Sequence, residues 1–405
     1  MTQNNNIPAG YKDSAVGIIP QEWEVKRLGL VCNFLDNQRV PIKDADRLGM
    51  HGPYPYYGAS GIIDYVNDYI FDDELILLGE DGANIINRST PLAFMVEGKI
   101  WVNNHAHVLR PIEPNNRFYI CSYLESISYD KYNTGTAQPK LNREVCEKIL
   151  IPVPPMGEQR KIAEILGVWD EAIEKQSRLI ERLEVRKRAL MQRLLTGRVR
   201  LPNFTTPWQK IKLGEIGKFD KGAGVPKDKI TSSGCKAITY GEIYTKYNYA
   251  IKNFASYIDE GTARESKQIS SGAILFAGSG ETLEDIGKCV AFIDDDVAYA
   301  GGDIIIFKPK VEVDSLVLSY ILNSPSAIKQ KRKYGQGHSV VHIYQKDLAK
   351  IELELPSLSE QKAIAEVLTA ADNEIATHYK KLSALRLQKR GLMQQLLTGK
   401  TRVKI

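Results

Sequence analysis

The chain has 405 residues, 43% hydrophobic and 25% charged, with 54 Lys and Arg against 49 Asp and Glu, a formal net charge of +5. That is ordinary soluble composition, long enough for two or three domains with cores, and the mild positive charge permits nucleic-acid binding without requiring it. Five scattered cysteines with no C-x-x-C argue against a disulfide framework or a zinc site, and the lack of an apolar signal core or an 18-residue apolar run argues against a membrane span, so a cytoplasmic protein is expected.

In chain order, residues 1 to about 20 read as an extended polar leader ending at Pro20. "EWEVKRLGLVCNF" then opens a domain and is echoed by "PWQKIKLGEIGKF" at an offset of 185, which matches Trp23 with Trp208 and Phe34 with Phe219. Apolar runs at Leu75 to Leu78, Ile100 to Val102, Ile274 to Phe276 and Ile304 to Phe307 read as strands, and at an offset of 198 the run ending at Leu78 matches the one ending at Phe276. The loop "NTGTAQPKLN" is matched near offset 202 by a glycine-rich loop containing "GQGHS", and each leads into a last strand stopped by proline.

The stretch from Glu158 to Arg200 recurs from Glu360 to Arg402 without a gap, 19 of 43 positions being identical. Both copies read as long helices with a 4-3 apolar period. The first seam runs Ile162, Leu166, Trp169, Ile173, Gln176, Ile180, Leu183, Lys187, Leu190, Leu194. The second runs Ile364, Leu368, Ala371, Ile375, His378, Leu382, Leu385, Lys389, Leu392, Leu396, with its polar breaks at the same two places. Gly197 and Gly399 are expected to stop the helices in a positive-φ conformation. The first half of each helix is acidic and the second basic, so antiparallel pairing is the arrangement that sets opposite charges against each other.

The expected fold class is therefore α+β. Two duplicated α/β domains are separated by two long helices in an antiparallel coiled coil, with pseudo-twofold symmetry. The segments are 1–157, 158–200, 201–357 and 358–405.

Catalytic signatures are weak. Asp81 with Glu97 and Lys99 follows an acid…E-x-K nuclease pattern, but its counterparts Ser279, Asp295 and Val297 break it. His105 and His107 stand on alternate positions of a strand-like run, where both could face one side as metal ligands, although a sheet or nucleic-acid-facing role fits better. An autonomous metal-dependent nuclease and a purely structural scaffold are the rival readings. Polar, aromatic and basic residues in glycine-rich loops suit phosphate and base contacts instead. In the first domain the candidates are Tyr54, Tyr56, Tyr57, Ser60, His105, Thr136, Gln138 and Lys140. In the second they are Lys221, Lys227, Tyr240, Ser279, Lys333, Gln336, His338 and Ser339.

The opening "YKDSAVGIIPQEWEVKRL", the segments "PVPPMGEQRKIAEIL" and "PSLSEQKAIAEVL" that lead into the helices, and both "LMQ-LLTG" endings resemble the specificity subunits of type I restriction-modification systems across the whole chain. The resemblance implies two target-recognition domains held apart by two helices, each domain reading one half of an asymmetric bipartite site on double-stranded DNA, with the helices setting the spacer. It implies a subunit without catalysis of its own that binds no cofactor. Two modification subunits would carry S-adenosylmethionine for adenine N6-methylation, and restriction subunits would use ATP and Mg2+. The helices, with Arg186, Arg193 and the equivalent Gln388 and Gln395 on exposed faces, are expected to dock the methyltransferases.

Overall fold

In the computed structural model, which describes residues 7–337 and 340–404, the chain forms two compact units. Unit 1 comprises Met1–Arg178 and Lys380–Ile405, and unit 2 comprises Leu179–Tyr379. The divisions fall inside the long helices, Met156–Leu194 and Leu358–Leu396, so each unit holds the first half of one helix and the second half of the other. This differs from a division into four consecutive segments, because each half-helix packs on the domain beside it.

In unit 1 a six-stranded sheet runs in the order Cys32–Phe34, Ala106–Pro111, Phe71–Gly79, Ala93–Val102, His51–Gly58, Gly61–Val66, antiparallel except where His51–Gly58 joins Ala93–Val102. The continuous apolar run from Leu75 to Leu78 is wholly buried because the sheet is covered on both faces there. Helix Arg117–Ser126, capped by the Asn116 side chain, covers one of those faces.

Unit 2 keeps the core of this arrangement in a five-stranded sheet, Gly217–Lys221, Ile304–Pro309, Ile274–Ala277, Cys289–Phe292, Ala250–Ile251. Where unit 1 has the 51–66 hairpin, unit 2 builds a separate four-stranded sheet: Ser256–Ile258, Cys235–Ile238, Ala298–Ala300, Lys267–Ile269.

Each domain is closed by a two-stranded clamp. Glu24–Arg27 pairs with Leu150–Val153, and Gln209–Lys212 pairs with Glu352–Leu355; Glu24 opposite Val153 corresponds to Gln209 opposite Leu355, so the register is the same in both. The leader is not simply extended: Tyr11–Lys12 pairs with Ile19–Pro20, and the Tyr11 hydroxyl donates to the Gly399 carbonyl at 3.0 Å.

The helix seams lie inward in both units. Ile162 and Leu166 sit in a core with Trp23, Ile120, Met393, Leu396 and Leu397. Ile364 and Leu368 sit with Leu194, Leu195 and Leu213. Ile180, Leu183 and Leu382 are buried, while Trp169, Ile173, Leu190, Ile375, Leu385 and Leu392 are half-buried.

The seam lysines are paired. Lys389 reaches Asp170 in unit 1, and Lys187 reaches Asp372 in unit 2, where the Tyr320 hydroxyl also donates to Asp372 at 2.7 Å. A charged seam residue of this kind fixes antiparallel register, since a slip by one turn would leave it facing apolar neighbours. Among the described residues no helix is long and apolar enough to cross a membrane.

Both helices end at glycines with φ of 64° for Gly197 and 71° for Gly399. An L-residue there costs roughly 1–2 kcal/mol from conformation alone. A Cβ on Gly399 would also lie 2.3 Å from Pro20 Cδ, whereas on Gly197 the nearest atom, on the Trp208 ring, is at 3.5 Å. Thermal unfolding of the full chain is expected to show a larger loss for Gly399→Ala than for Gly197→Ala, and the opposite order would contradict this account of the leader contact.

Candidate functional site

In unit 1 the end of strand Phe71–Gly79 carries the chain into a cluster of loops. The Glu80 amide donates to the His105 carbonyl at 2.8 Å, the Leu141 amide to the Glu80 carbonyl at 2.7 Å, and Asp81 bridges Lys140 in antiparallel register. The Asn103 amide donates to the Tyr57 carbonyl, which brings the turn holding Ser60 alongside. The loop from Thr134 to Lys140 closes on itself, the Thr134 amide donating to the Lys140 carbonyl at 2.8 Å, and presents Thr136 and Gln138 to solvent. Ser60, His105, Thr136, Gln138 and Lys140 therefore share one exposed surface. His105 Nδ1 lies 2.8 Å from Asp81 Oδ2.

A buried charged network supports this surface. The His107 ring has Nδ1 2.7 Å from Asp36 Oδ2 and Nε2 2.8 Å from the Leu141 carbonyl, so both nitrogens act as donors and the ring is an imidazolium. Burial opposes that charge, but the hydrogen bond of Asp36, the neighbouring Cys146 and the attraction of Asp36 together prevail and raise the pKa to about 10. Asp36 is itself held below the usual carboxylate range, its burial outweighed by His107 and the Val108 amide. Arg39 joins Glu80 at 2.8 Å and donates to the Ala106 carbonyl at 2.7 Å, and Glu80 also meets Lys140 at 3.4 Å.

Several expected residues lie elsewhere. Tyr56 is 1% exposed and its hydroxyl accepts from the Ile42 amide, so it is a core residue and not a reader of DNA. Tyr57 is half-buried against Phe94, and Tyr54 stands toward the other end of its strand, against Tyr69 and under Lys99. Strand pairing takes the nuclease pattern apart. Glu97 opposes Glu74 and Lys99 opposes Asp72, while Asp81 is seven residues beyond Glu74, roughly 20 Å at ~3.3 Å per residue. His105 and His107 do not converge either, one binding Asp81 at the surface and the other Asp36 in the interior.

Unit 2 repeats the backbone of this surface with other side chains. The Gly278 amide donates to the Asp303 carbonyl at 2.9 Å, the Ile343 amide to the Gly278 carbonyl at 3.0 Å, and Ser279 pairs with His342, with 3.0 Å between Ser279 Oγ and His342 Nδ1. A cavity of about 350 Å³ opens here, lined by Lys221, Ser279, Asp303, His342, Tyr344 and Lys346. Tyr240 begins a helix whose Tyr244 donates to the Ser279 carbonyl at 3.0 Å, so it lies one turn from this place. Gln336 is exposed and paired through its backbone to His342. Lys227 and Lys333 are exposed on the turn Lys227–Lys229 and the helix Pro325–Tyr334, away from the cavity lining. His338 and Ser339 lie outside the described residues. Sequence reasoning passed over His342, Tyr344 and Lys346, although the offset of 202 sets His342 against Lys140.

On the helices, Arg186 pairs with Glu374 across the helix pair and keeps its side chain 53% exposed. Arg193, Gln388 and Gln395 are exposed. The apolar seam residues face inward, so only the outer faces are open to another subunit.

The chain matches, twice, the family model of the type I restriction modification DNA specificity domain, over residues 20–185 and 205–387. A protein of Haemophilus influenzae described as a type I restriction enzyme specificity subunit is 30% identical over 357 residues, 86% of this chain and 87% of that one. A type I restriction enzyme specificity subunit of Methanocaldococcus jannaschii is 26% identical over 419 residues, 95% of this chain and 94% of that one. The fold is shared with the crystal structure of a type I restriction-modification S subunit from M. genitalium, with a TM-score of 0.58, 15% identity, and coverage of 100% of this chain and 99% of that one.

Stability should report the His107–Asp36 pair. His107 binds its proton more tightly folded than unfolded, so its contribution is fully present below its ordinary pKa of 6.5 and is lost as pH rises toward 10. The contribution of Asp36, whose pKa is lowered from 3.8, is present above that value and is lost as pH falls through its folded pKa. His107→Gln is expected to lower the melting temperature at pH 7 and to flatten its decline between pH 7 and 10. An unchanged alkaline slope would contradict the imidazolium assignment.

Proposed function

The chain belongs to the type I restriction-modification DNA specificity family, and on that premise we propose that each of its two units reads one half of a bipartite site on double-stranded DNA. The observation that carries this reading is the combination of an identical mount with different loops. Both domains are closed by clamps in the same register and begin their long helices with the same buried Glu-Gln pair, while the segments 51–66 and 223–271 follow different strand plans. Duplicated support with divergent exposed loops suits two readers of unlike sequences, since binding specificity resides in loops placed by a rigid scaffold.

The loop surfaces supply the two kinds of contact that sequence reading needs. Exposed lysines such as Lys140, Lys221 and Lys346 can neutralise phosphates, and Asp81, His105, Gln138 and His342 offer donors and acceptors to base edges. The partners we propose are two methyltransferase subunits docked on the outer helix faces around Arg193, Gln388 and Gln395, with restriction subunits completing the assembly. S-adenosylmethionine, ATP and Mg2+ belong to those partners in this reading, catalysis lies with them, the paired helices set the unread spacer, and the assembly works in the cytoplasm.

The test is domain replacement in a complex reconstituted with its methyltransferase subunits. Replacing residues 21–150 by the equivalent domain of a relative is expected to change one half of the methylated motif and leave the other intact. A change in both halves, or wild-type binding with no sequence preference across a salt titration, would contradict independent half-site reading.

A further inference from the structure

The internal repeat lets the two loop surfaces be matched bond by bond. Three backbone interactions coincide: Glu80 with His105, Leu141 with Glu80 and Asp81 with Lys140 in unit 1 answer to Gly278 with Asp303, Ile343 with Gly278 and Ser279 with His342 in unit 2. The offsets are 198 for the first strand end and its neighbour (278 − 80, 279 − 81, 303 − 105) and 202 for the returning loop (342 − 140, 343 − 141). The buried member of the frame stays apolar, Leu141 at 0% exposed and Ile343 at 2%. The other four positions all change chemistry: Glu to Gly, Asp to Ser, His to Asp, Lys to His.

What lies beneath the frame changes too. At the offsets of 185 and 198, the unit 1 network of Asp36, Arg39, Glu80 and His107 corresponds to Lys221, Gly224, Gly278 and Ile305. Four large charged groups are replaced by one lysine, two glycines and an isoleucine, and three of these, Lys221, Gly278 and Ile305, line the cavity of about 350 Å³ together with Ser279 and His342. The same backbone thus presents a filled, charge-locked surface in unit 1 and a hollow one in unit 2.

We infer that half-site discrimination is made at this one duplicated position, by Asp81 with Lys140 in unit 1 and by Ser279 with His342 in unit 2, through contacts to base edges. The inference rests on the reading of each unit as a half-site reader. A carboxylate on a DNA-facing surface repels phosphates, so the place of Asp81 beside Lys140 suits a base edge that offers an amino group next to an acceptor. Asp81 only accepts and Lys140 only donates, which makes that pair strict. Ser279, 7% exposed, and His342, which is exposed, each have both capacities, and their pairing engages His342 Nδ1, so that Nε2 is the second polar atom of the exposed ring. Sequence preference in unit 2 is therefore of a different kind, set by one imidazole edge over a cavity.

The experiment uses the full complex with its methyltransferase subunits and maps the methylated motif by long-read sequencing for wild type, Asp81→Ser with Lys140→His, and Ser279→Asp with His342→Lys. The first pair is expected to relax or change one half-site, with discrimination at an affected base falling on the order of tenfold or more, and the second pair to do the same to the other half-site only. Single substitutions at exposed positions, Lys140→Gln and His342→Gln, give the same readout where a double variant does not assemble. Active variants that keep the wild-type motif overturn the inference, as does one pair changing both halves. A wild-type complex that methylates no bipartite motif overturns the reading of the units themselves, so the two failures are told apart.

Discussion

Two buried carboxylates hold the fold together. Glu158, wholly buried in the first turn of its helix, accepts from the Trp23 indole at 2.9 Å and from Arg402 at 2.7 and 3.0 Å; Glu360, 1% exposed, accepts from Trp208 at 3.2 Å and from Arg200 at 2.6 and 2.7 Å. A carboxylate out of water is tolerated only when its charge is compensated and its lone pairs are used, and the helix N-terminus adds favourable dipole potential. Each site joins three distant pieces of sequence: the start of a domain, the start of the helix that follows it, and the tail of the other helix. The neighbouring Gln159 and Gln361 extend the tie, each donating to a proline carbonyl at 2.9 Å and accepting from the backbone amide of the residue that caps an earlier helix of the same domain, Asn116 or Asp314. The tie explains why the clamps keep one register while the domains between them diverge.

The helix pair depends on charge in a second way. Lys187 and Lys389 occupy seam positions where an apolar residue would pack better, and each is matched to an aspartate in the acidic half of the facing helix. In unit 2 the arrangement is richer, because Lys187 also lies over the rings of Tyr249 and Tyr320. Apolar seams tolerate slippage by a turn, and a half-buried lysine opposite a single aspartate does not. Such pairs add little stability beyond a hydrophobic substitute but choose one alignment from several.

A rigid mount frees the exposed loops from structural duty, and the two units use that freedom differently. Unit 1 invests in an interior of ion pairs, His107 with Asp36 and Arg39 with Glu80, that holds its surface groups still. Unit 2 has Lys221, Gly224, Gly278 and Ile305 at the corresponding points and carries a cavity instead. Pre-organised charges favour one arrangement of donors and acceptors, whereas a hollow lined by hydroxyl, imidazole and amine groups adapts its contacts.

The repeat, the long helices, their antiparallel sense, their glycine stops and the main strands were legible in the sequence, because each depends on local periodicity, propensity and charge order that read directly along the chain. The resemblance to type I specificity subunits was legible for the same reason, since it rests on contiguous motifs around the helices. The loop surfaces were legible only in part. Loop composition pointed to His105, Lys140 and Ser279, which stand in the two loop clusters, but also to Tyr56, which strand geometry turns into the core, and it passed over His342, whose place depends on pairing with a residue 63 positions away. The nuclease pattern dissolved because a β-ladder, not sequence proximity, decides which side chains meet. Only the tertiary structure could place the Trp–Glu–Arg ties and the imidazolium at His107, since burial and partner choice arise from contacts between segments that no local pattern links.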